Sequence, residues 1–413
     1  MINYDGLYNK EYLGDRLGEK HFSNKKLRFR IFENATILPF KDIKGAAFFG
    51  GLIDKDNNFI EGTAVHRGVG GGAYTPNDDV QYVQLPAIYL GMLVHIWGHC
   101  LTDNLKRMWF FGSNIYRNYF KNCPILYTPM WGGLTDNFIR LLKILGIDPS
   151  KLYPVNSPVK IQNVILPDES FFLAPDNMKN VPLNSIDGTS NDFDGNDGSF
   201  FTEEYVETVD VIRNFVLKNF SPMTEKKFYF FQGRNQCGEE RIAKYFMSKG
   251  YAIVRPEKLP VDVQLNILAN CENFASIVGS ISHNIIFLKN ESEVKLIPRR
   301  AAFVNIYQTA LNQIHNLNIS YVDSAISLFA PYHTGPYCYI LSENLRKHFG
   351  DEITEKYTDE DFATFLAYVR YAKSQGLKEN PKELEYLKNI LPEFMAQLKK
   401  RDDLLKKFGI TVQ

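Results

Sequence analysis

The sequence predicts an α/β protein, and three features carry that expectation. Between 228 and 298, short continuous apolar runs alternate with helix-period stretches over short connections. That is the pattern of βαβ units and of a parallel sheet covered on both faces. Earlier in the chain, runs such as Ala35-Thr36-Ile37-Leu38 and Val159–Leu166 are interleaved with amphipathic stretches, one of them stopped by Gly146, which predicts a second, mixed α/β region. Hydrophobic residues make up 45% of the 413-residue chain and aromatic ones 14%, enough for packed cores in two or three domains and incompatible with global disorder.

The elements follow in order. Ala35–Leu38 and Ala46–Phe49 read as strands, and Asp54-Lys55-Asp56-Asn57-Asn58 has the side chains of a hairpin turn. Leu101, Leu105, Met108 and Trp109 recur at the spacing of a helix over 98–112. Pro124–Tyr127 reads as a strand, and Leu134, Phe138, Leu141, Leu142 and Leu145 predict a helix over 134–145. Strands are expected at 152–155 and 159–166. Residues 174–200 turn polar, with Asn191–Ser199 the most polar stretch, so a linker over 181–205 separates a domain at 1–180 from one at 206–350. In the latter, strands are expected at 228–231, 251–254, 274–278 and 293–297, and helices at 239–249, 261–269 and 282–289. A C-terminal helical segment over 351–413 is highly charged and breaks at Pro381. Lys399, Lys400, Arg401, Lys406 and Lys407 gather there beside Leu398, Leu404, Leu405 and Phe408. This reads either as a solvated helix packed on the body or as a peripheral contact with an anionic membrane surface.

Composition excludes several classes. Lys+Arg and Asp+Glu both number 47, so there is no broad basic field and nucleic acid is not an expected partner. The five cysteines, Cys100, Cys123, Cys237, Cys271 and Cys338, are scattered singly, as reduced thiols in a cytosolic protein are. The opening residues do not have the form of a signal peptide, and apolar stretches such as Gly45–Ile53 are far short of the ~20 residues of a membrane helix. A cytoplasmic chain is expected.

Candidate chemistry concentrates in two places. Ligands of a parallel sheet bind beyond the carboxyl ends of its strands. There the chain supplies Gly233-Arg234, Arg255-Pro256-Glu257 and Gly279-Ser280, with His283 shortly after. Arg234 offers a fork of donors suited to a diphosphate. Gly279 lets the backbone approach, the amides from Ser280 onward make an anion seat at a helix start, Ser280 and His283 add side-chain donors, and Glu257 can accept two hydroxyls. Each of these alone equally describes a surface arginine or a capping histidine; their convergence on consecutive strand ends favours a nucleotide-diphosphate site. The second place is His95-Ile96-Trp97-Gly98-His99-Cys100-Leu101-Thr102-Asp103. On a helix His99 and Asp103 share one face opposite Leu101 and Leu105, and a carboxylate beside an imidazole prepares a general base. Two rival readings are a pair that merely caps a helix, and a metal site made of His95, His99 and Asp103. Two weaker motifs read as loops: His66–Ala73, which contains G-x-G-x-x-A but precedes no helix, and the calcium-like Asp192–Glu203, which has Asp197 where a calcium loop needs glycine.

Tyr89–Asp103, continuing through Arg107, Met108 and Trp109, resembles the "HFGHFLxE…RLW" segment of the DUF563 proteins, glycosyltransferase family 61, with Asp103 in the place of the usual glutamate. Gly50-Gly51-Leu52-Ile53-Asp54 is similar to "GGVxD", Gly233-Arg234 and Gly238-Glu239 to the strand-end arginine and following "GE", Pro256-Glu257 and Gln264 to "PExLxxxEQ", and Gly279–His283 to a shortened "EGSxxxH". The similarity spans about residues 48–300. It implies a GT-B-like fold of two Rossmann-like domains facing across a cleft, the acceptor-side domain at 1–180 and the nucleotide-sugar domain at 206–350. It also implies an inverting transfer, without an obligatory metal or other cofactor, from a nucleotide-diphosphate sugar to a growing surface polysaccharide or lipid-linked glycan. In that scheme His99 and Asp103 are catalytic, His95 and Trp97 lie on the acceptor side, and Arg234, Glu257, Gly279, Ser280 and His283 hold the donor. The base is His99 oriented by Asp103, or Asp103 itself with His99 as its donor partner. The alternatives are a metal-dependent hydrolase using His95, His99 and Asp103, and a non-catalytic nucleotide-sugar or glycan-binding module.

Overall fold

The apolar runs between 227 and 297 form one parallel sheet in the computed structural model, which describes residues 1–8, 20–42, 48–60, 62–63, 73–76, 80–172, 200–234, 236–300, 306–329 and 335–401. Its strands lie in the order Ala252–Val254, Lys227–Phe230, Asn273–Ile277, Glu293–Ile297, Asn318–Val322 and Ile2–Gly6, every neighbouring pair parallel. Counted from Lys227 this is the doubly wound order 2-1-3-4-5, whose switch point falls between the first and third strands. Phe228, Tyr229 and Phe230 are all buried, as are Phe274 and Ala275, so side chains pointing to both faces are covered and the runs read as continuous rather than alternating. Helices Glu239–Ser248 and Val261–Asn270 fill the first two connections, a 3-10 helix Ser282–Phe287 the third and helix Ile306–Leu311 the fourth.

The division of the chain differs from the one composition suggests. Two compact units are present, Glu19–Phe220 and Met1–Gly18 with Ser221–Gln413. Strand Ile2–Gly6 is an edge strand of the second unit because it pairs with Asn318–Val322; a side chain on Gly6 would come 2.4 Å from the Tyr321 carbonyl oxygen. Helix Glu203–Asn219 stays with the first unit because its apolar face, Tyr205, Val209, Ile212 and Val216, is fully buried there. The linker expected over 181–205 therefore shares its last residues with that helix, and its earlier part, with the calcium-like loop up to Ser199, lies outside the described residues. So do residues 66–72 of the glycine-rich motif.

In the unit Glu19–Phe220 a seven-stranded sheet runs Phe59–Ile60, Phe48–Ile53, Phe29–Asp42, Val159–Pro167, Gln81–Val94, Ile125–Met130 and Leu152–Pro154. The last four strands are mutually parallel and the first three antiparallel. The half implied to be Rossmann-like is thus a mixed sheet, parallel on one side of Phe29–Asp42 and antiparallel from there on. Helix Asp136–Ile144, capped by Thr135, follows Ile125–Met130 and buries Phe138, Leu141 and Leu142.

The segment after 350 packs into a core that it shares with Ile326, Phe329, Cys338 and Ile340. Helices Asp359–Ser374, Pro381–Ile390 and Pro392–Lys399 enclose Phe362, Leu366, Leu387, Phe394 and Leu398, with Phe362 and Phe394 stacked at 4.8 Å. Thr358 and Asp361 cap the first of them reciprocally. Leu398 faces this core while Lys399 and Lys400 are exposed; Leu404, Leu405, Lys406, Lys407 and Phe408 lie outside the described residues. Among the described residues no helix is long and apolar enough to cross a membrane.

Replacing Gly6 by valine is expected to cost ~1–3 kcal/mol through this backbone clash. Hydrogen exchange should accelerate at Ile319–Val322 and stay unchanged at Ile161–Leu166; equal acceleration at both would show that the N-terminal strand belongs to neither sheet as placed here.

Candidate functional site

Strand Gln81–Val94 lies between Ile125–Met130 and Val159–Pro167, parallel to both. The chain leaves it toward one side and later returns to the other, so its carboxyl end is a switch point where a ligand crevice is expected. Directly beyond that end, residues 97–112 wind as a short α-helical turn Trp97–His99, a π-helical turn Cys100–Asn104, a 3-10 turn Leu105–Arg107 and a last α-turn Trp109–Gly112. The expectation of one regular helix over 98–112 is corrected in its detail: π-turns insert residues into the ladder and recur at functional sites.

Within this segment His99 Nδ1 and Asp103 Oδ2 are 2.7 Å apart, both residues buried at 7% and 9% exposure. The Thr102 hydroxyl, with one proton to donate, lies 3.0 Å from the same Asp103 oxygen and 3.1 Å from the Gly98 carbonyl. A carboxylate on Nδ1 selects the tautomer with its proton there and places the basic lone pair at Nε2. Cys100, next to the pair, is no competing nucleophile, since burial and then the Asp103 charge push its thiol up to about 12.

Asn104 seats the whole segment. Its side-chain amide donates to the Val94 carbonyl at 2.8 Å and its oxygen accepts from the Val94 amide at 3.0 Å. From the other side the Tyr205 hydroxyl donates to the Leu101 carbonyl. Lys106 and Arg107 are buried against Glu169, at 2.5 and 3.0 Å, and Arg107 also reaches the Pro167 carbonyl. Gly98 through Met108 are consequently buried on every side, so the amphipathic arrangement with Leu101 and Leu105 opposite the polar pair gives way to a polar segment held inside the unit. Asn104, Tyr205 and Glu169 escape sequence reasoning because each acts on a partner distant in the chain or on backbone.

His95 and Trp97 stand at the mouth of this region, His95 exposed beside Gly132 and Trp97 half-buried. His95 does not join the buried pair, and among the described residues no three His, Cys, Asp or Glu side chains are placed to hold a metal ion. The regular helix that would bring the two imidazoles together is not formed through His95, which lies between the end of the strand at Val94 and the start of the helical segment at Trp97.

In the other unit, the switch point lies beyond Phe230 and Ile277. Glu239 is fully buried at the start of its helix and accepts the amides of Gln232 at 2.8 Å and Gly233 at 2.7 Å, which folds the first strand's exit into a tight turn. Gly279 has φ +154, and a Cβ there would lie 2.2 Å from the Arg299 guanidinium. Arg299 spans the crevice, donating to Gln232 Oε1 at 3.1 Å and lying over the Tyr337 ring at 5.2 Å. The rule that pointed to Arg234 also points to Arg299, which directly follows Pro298 at the next strand's carboxyl end; applying it to every strand would have found it. Arg234 itself is exposed, and Ser280 is half-buried in the turn after Gly279. The amides of Ser280 and Ile281 donate to no described residue. The turn is locked by Ser282 instead, whose hydroxyl oxygen accepts from the Gly279 amide at 2.9 Å. His283 is 3% exposed and its amide is bonded back to Gly279 at 3.3 Å. The expected helix start is a six-residue 3-10 helix, with less dipole to offer an anion than an α-helix has. Glu257 is exposed after the edge strand Ala252–Val254, two strand spacings or ~10 Å from the Gly279 turn.

No protein-family model matches the sequence, and no curated protein matches it significantly. The resemblance to glycosyltransferase family 61 rests on the motifs themselves.

Burial raises the Glu239 carboxyl above its ordinary 4.5, against the two amides and Arg299 that favour its charge. A raised folded-state value means that its favourable contribution is complete below pH 4.5 and lost as pH rises through the raised value. Glu239→Gln is expected to remove that slope from the melting temperature while lowering it overall by ~1–3 kcal/mol of stability, because its new amide donor meets a backbone N–H. Thermal melts across pH 4–8 check both effects.

Proposed function

We propose that this chain is an inverting glycosyltransferase of GT-B type, moving a sugar from a nucleotide-diphosphate donor to a hydroxyl of a glycan or lipid-linked glycan acceptor. The observation that carries the reading is the buried His99–Asp103 pair at the carboxyl end of a parallel strand. His99 takes the proton of the acceptor hydroxyl at Nε2 as the oxygen attacks the anomeric carbon, and Asp103 stabilises the imidazolium that forms. Direct displacement of this kind inverts the stereocentre and needs one base. His99 is favoured over Asp103 as that base because Asp103 Oδ2 is engaged with the imidazole at 2.7 Å. In this reading His95 and Trp97, which are more open than the pair, meet the acceptor.

The donor belongs in this reading on the Ser221–Gln413 unit. Arg234, Arg299 and the amides after Gly279 face the developing charge of the diphosphate leaving group, the largest electrostatic demand of the reaction. His283, buried, supports the Gly279 turn, and Glu257 is left for a part of the donor remote from the diphosphate. No step requires a metal.

His99→Ala and Asp103→Asn are each expected to lower the rate of transfer by ~10²–10⁴ with donor binding unchanged. Full transfer by both variants would overturn the mechanism. Thermal unfolding with UDP, GDP, CMP and their sugars should show a rise for one nucleotide family that survives EDTA, since a ligand at about a hundred times its dissociation constant adds ~2.7 kcal/mol. A protein stabilised by none of them would not be a nucleotide-sugar transferase.

A further inference from the structure

Among the described residues, four that are not glycine have their backbone in the left-handed region: Asn34, Asn57, Trp131 and Glu291. Asparagine adopts that conformation readily, but for a bulky ring it is an outlier. Trp131, at φ +54, is followed by Gly132 and Gly133, a residue type that takes the conformation at no steric cost. Nor does the ring fill the core, since Trp131 is 40% exposed. Strain of this kind persists only where the surroundings impose it, and it gathers at ligand sites.

Trp131 stands directly beyond the carboxyl end of strand Ile125–Met130, whose last residue pairs with Val94. The residues that follow this pair on the two strands are therefore Trp131 and His95, and both are exposed. Gly132 lies against His95, where a Cβ would come 3.5 Å from the imidazole Nδ1. Phe40 meets the indole edge-to-face, at 6.2 Å and 81°, and a Cβ on Gly133 would meet nothing within 4 Å. Ring, imidazole and bare backbone thus adjoin at the switch point, on the strand end that leads within four residues to His99.

No Lys or Arg lies between Val94 and Leu105 or between Thr128 and Ile139, and Lys41, next to Phe40, lies over the Tyr74 ring at 3.7 Å. A phosphate or an anionic membrane surface would find no cation on these strand ends. The exposed residues 95, 96 and 131–133 include no carboxylate either. Such a surface suits a neutral molecule with an apolar face and a polar rim. A pyranose is built that way: its axial C–H groups make one face apolar and slightly positive, matching the negative face of an indole. Its hydroxyls lie at the rim, where an imidazole can donate or accept. We propose that Trp131 is a sugar-stacking platform, its ring taking the C–H face of a neutral pyranose unit of the acceptor while His95 bonds a hydroxyl at the rim. That this sugar belongs to the acceptor rests on the transferase reading above.

Saturation-transfer NMR on the full chain tests the contact. The probes are the methyl β-glycosides of glucose, galactose and N-acetylglucosamine, with sorbitol and galactitol as open-chain controls that carry hydroxyls but no ring face. At least one glycoside is expected to bind through the C–H protons of one ring face, and the alditols not at all. Trp131→Gly, which relieves the backbone, should weaken binding roughly tenfold, the loss of one stacked ring, and Trp131→Phe should retain most of it. Both variants should melt within ~4 °C of the wild type. In transfer assays Trp131→Gly should raise the acceptor KM and leave the donor KM unchanged. The proposal is overturned if the wild type binds no glycoside, binds the alditols equally, or prefers neutral phosphatidylcholine vesicles. It is overturned equally by binding that survives Trp131→Gly or is lost as deeply in Trp131→Phe. The two readings fail separately. Trp131-dependent glycoside binding without transfer from any nucleotide sugar would sink the transferase and leave the sugar site, whereas transfer with an unchanged acceptor KM in Trp131→Gly would sink the platform alone.

Discussion

The two hydrogen bonds between the Asn104 side chain and the backbone of Val94 are the constraint on which the candidate catalytic region depends. They fasten an irregular helical segment to the end of a strand that sits inside a sheet with a parallel neighbour on each side. A strand so placed cannot shift, and the segment fastened to it inherits that rigidity. Backbone groups at the end of a strand would otherwise be unsatisfied inside the unit, and an amide side chain, donor and acceptor at once, satisfies both. The cost of holding His99, Asp103, Lys106 and Arg107 away from water is offset pair by pair, His99 with Asp103 and both cations with Glu169.

The Ser221–Gln413 unit solves a related problem differently. Its crevice is shaped by glycines where side chains or backbone press in, Gly279 under the Arg299 guanidinium and Gly238 against the Tyr339 carbonyl. Glu239 then draws the exit of the first strand inward by its two backbone amides. Arg299 links the turns of the first and third strands, so a group entering the switch point meets a cation already oriented by an amide and an aromatic ring. The C-terminal helices are part of the same construction, since Asp361 both caps its own helix and pairs with Arg241 on another.

Legibility in the sequence followed the range of the forces involved. Helices Asp136–Ile144, Glu239–Ser248 and Val261–Asn270 and strands Lys227–Phe230 and Glu293–Ile297 lie within a residue or two of their expected positions, because apolar period and a stop such as Gly146 or Gly250 are local. The strands Phe29–Asp42 and Gln81–Val94 were hidden at full length. Register shifts between Leu38 and Lys41, Val83 and Pro86, and Tyr89 and Met92 interrupt their pairing, and Pro39, Pro86 and Gly91 look locally like breaks. Strand Ile2–Gly6 was hidden too, because its partner is more than three hundred residues away. At the candidate sites, the His99–Asp103 pair was readable from a spacing of four. The burial of Lys106 and Arg107 and the place of Arg299 were not.

By itself the sequence determined the parallel, two-sided sheet, the glycine turns at its carboxyl edge and the residue types available there, since continuous apolar runs and single glycines carry that information within a few positions. Tertiary structure alone decided which of those residues meet. It put His95 outside the helical segment that carries His99, placed Arg299 in the crevice, and joined the first strand to the last of the parallel set. Such outcomes depend on the order in which strands lie side by side, and that order is settled by packing and hydrogen bonding between segments far apart in the chain.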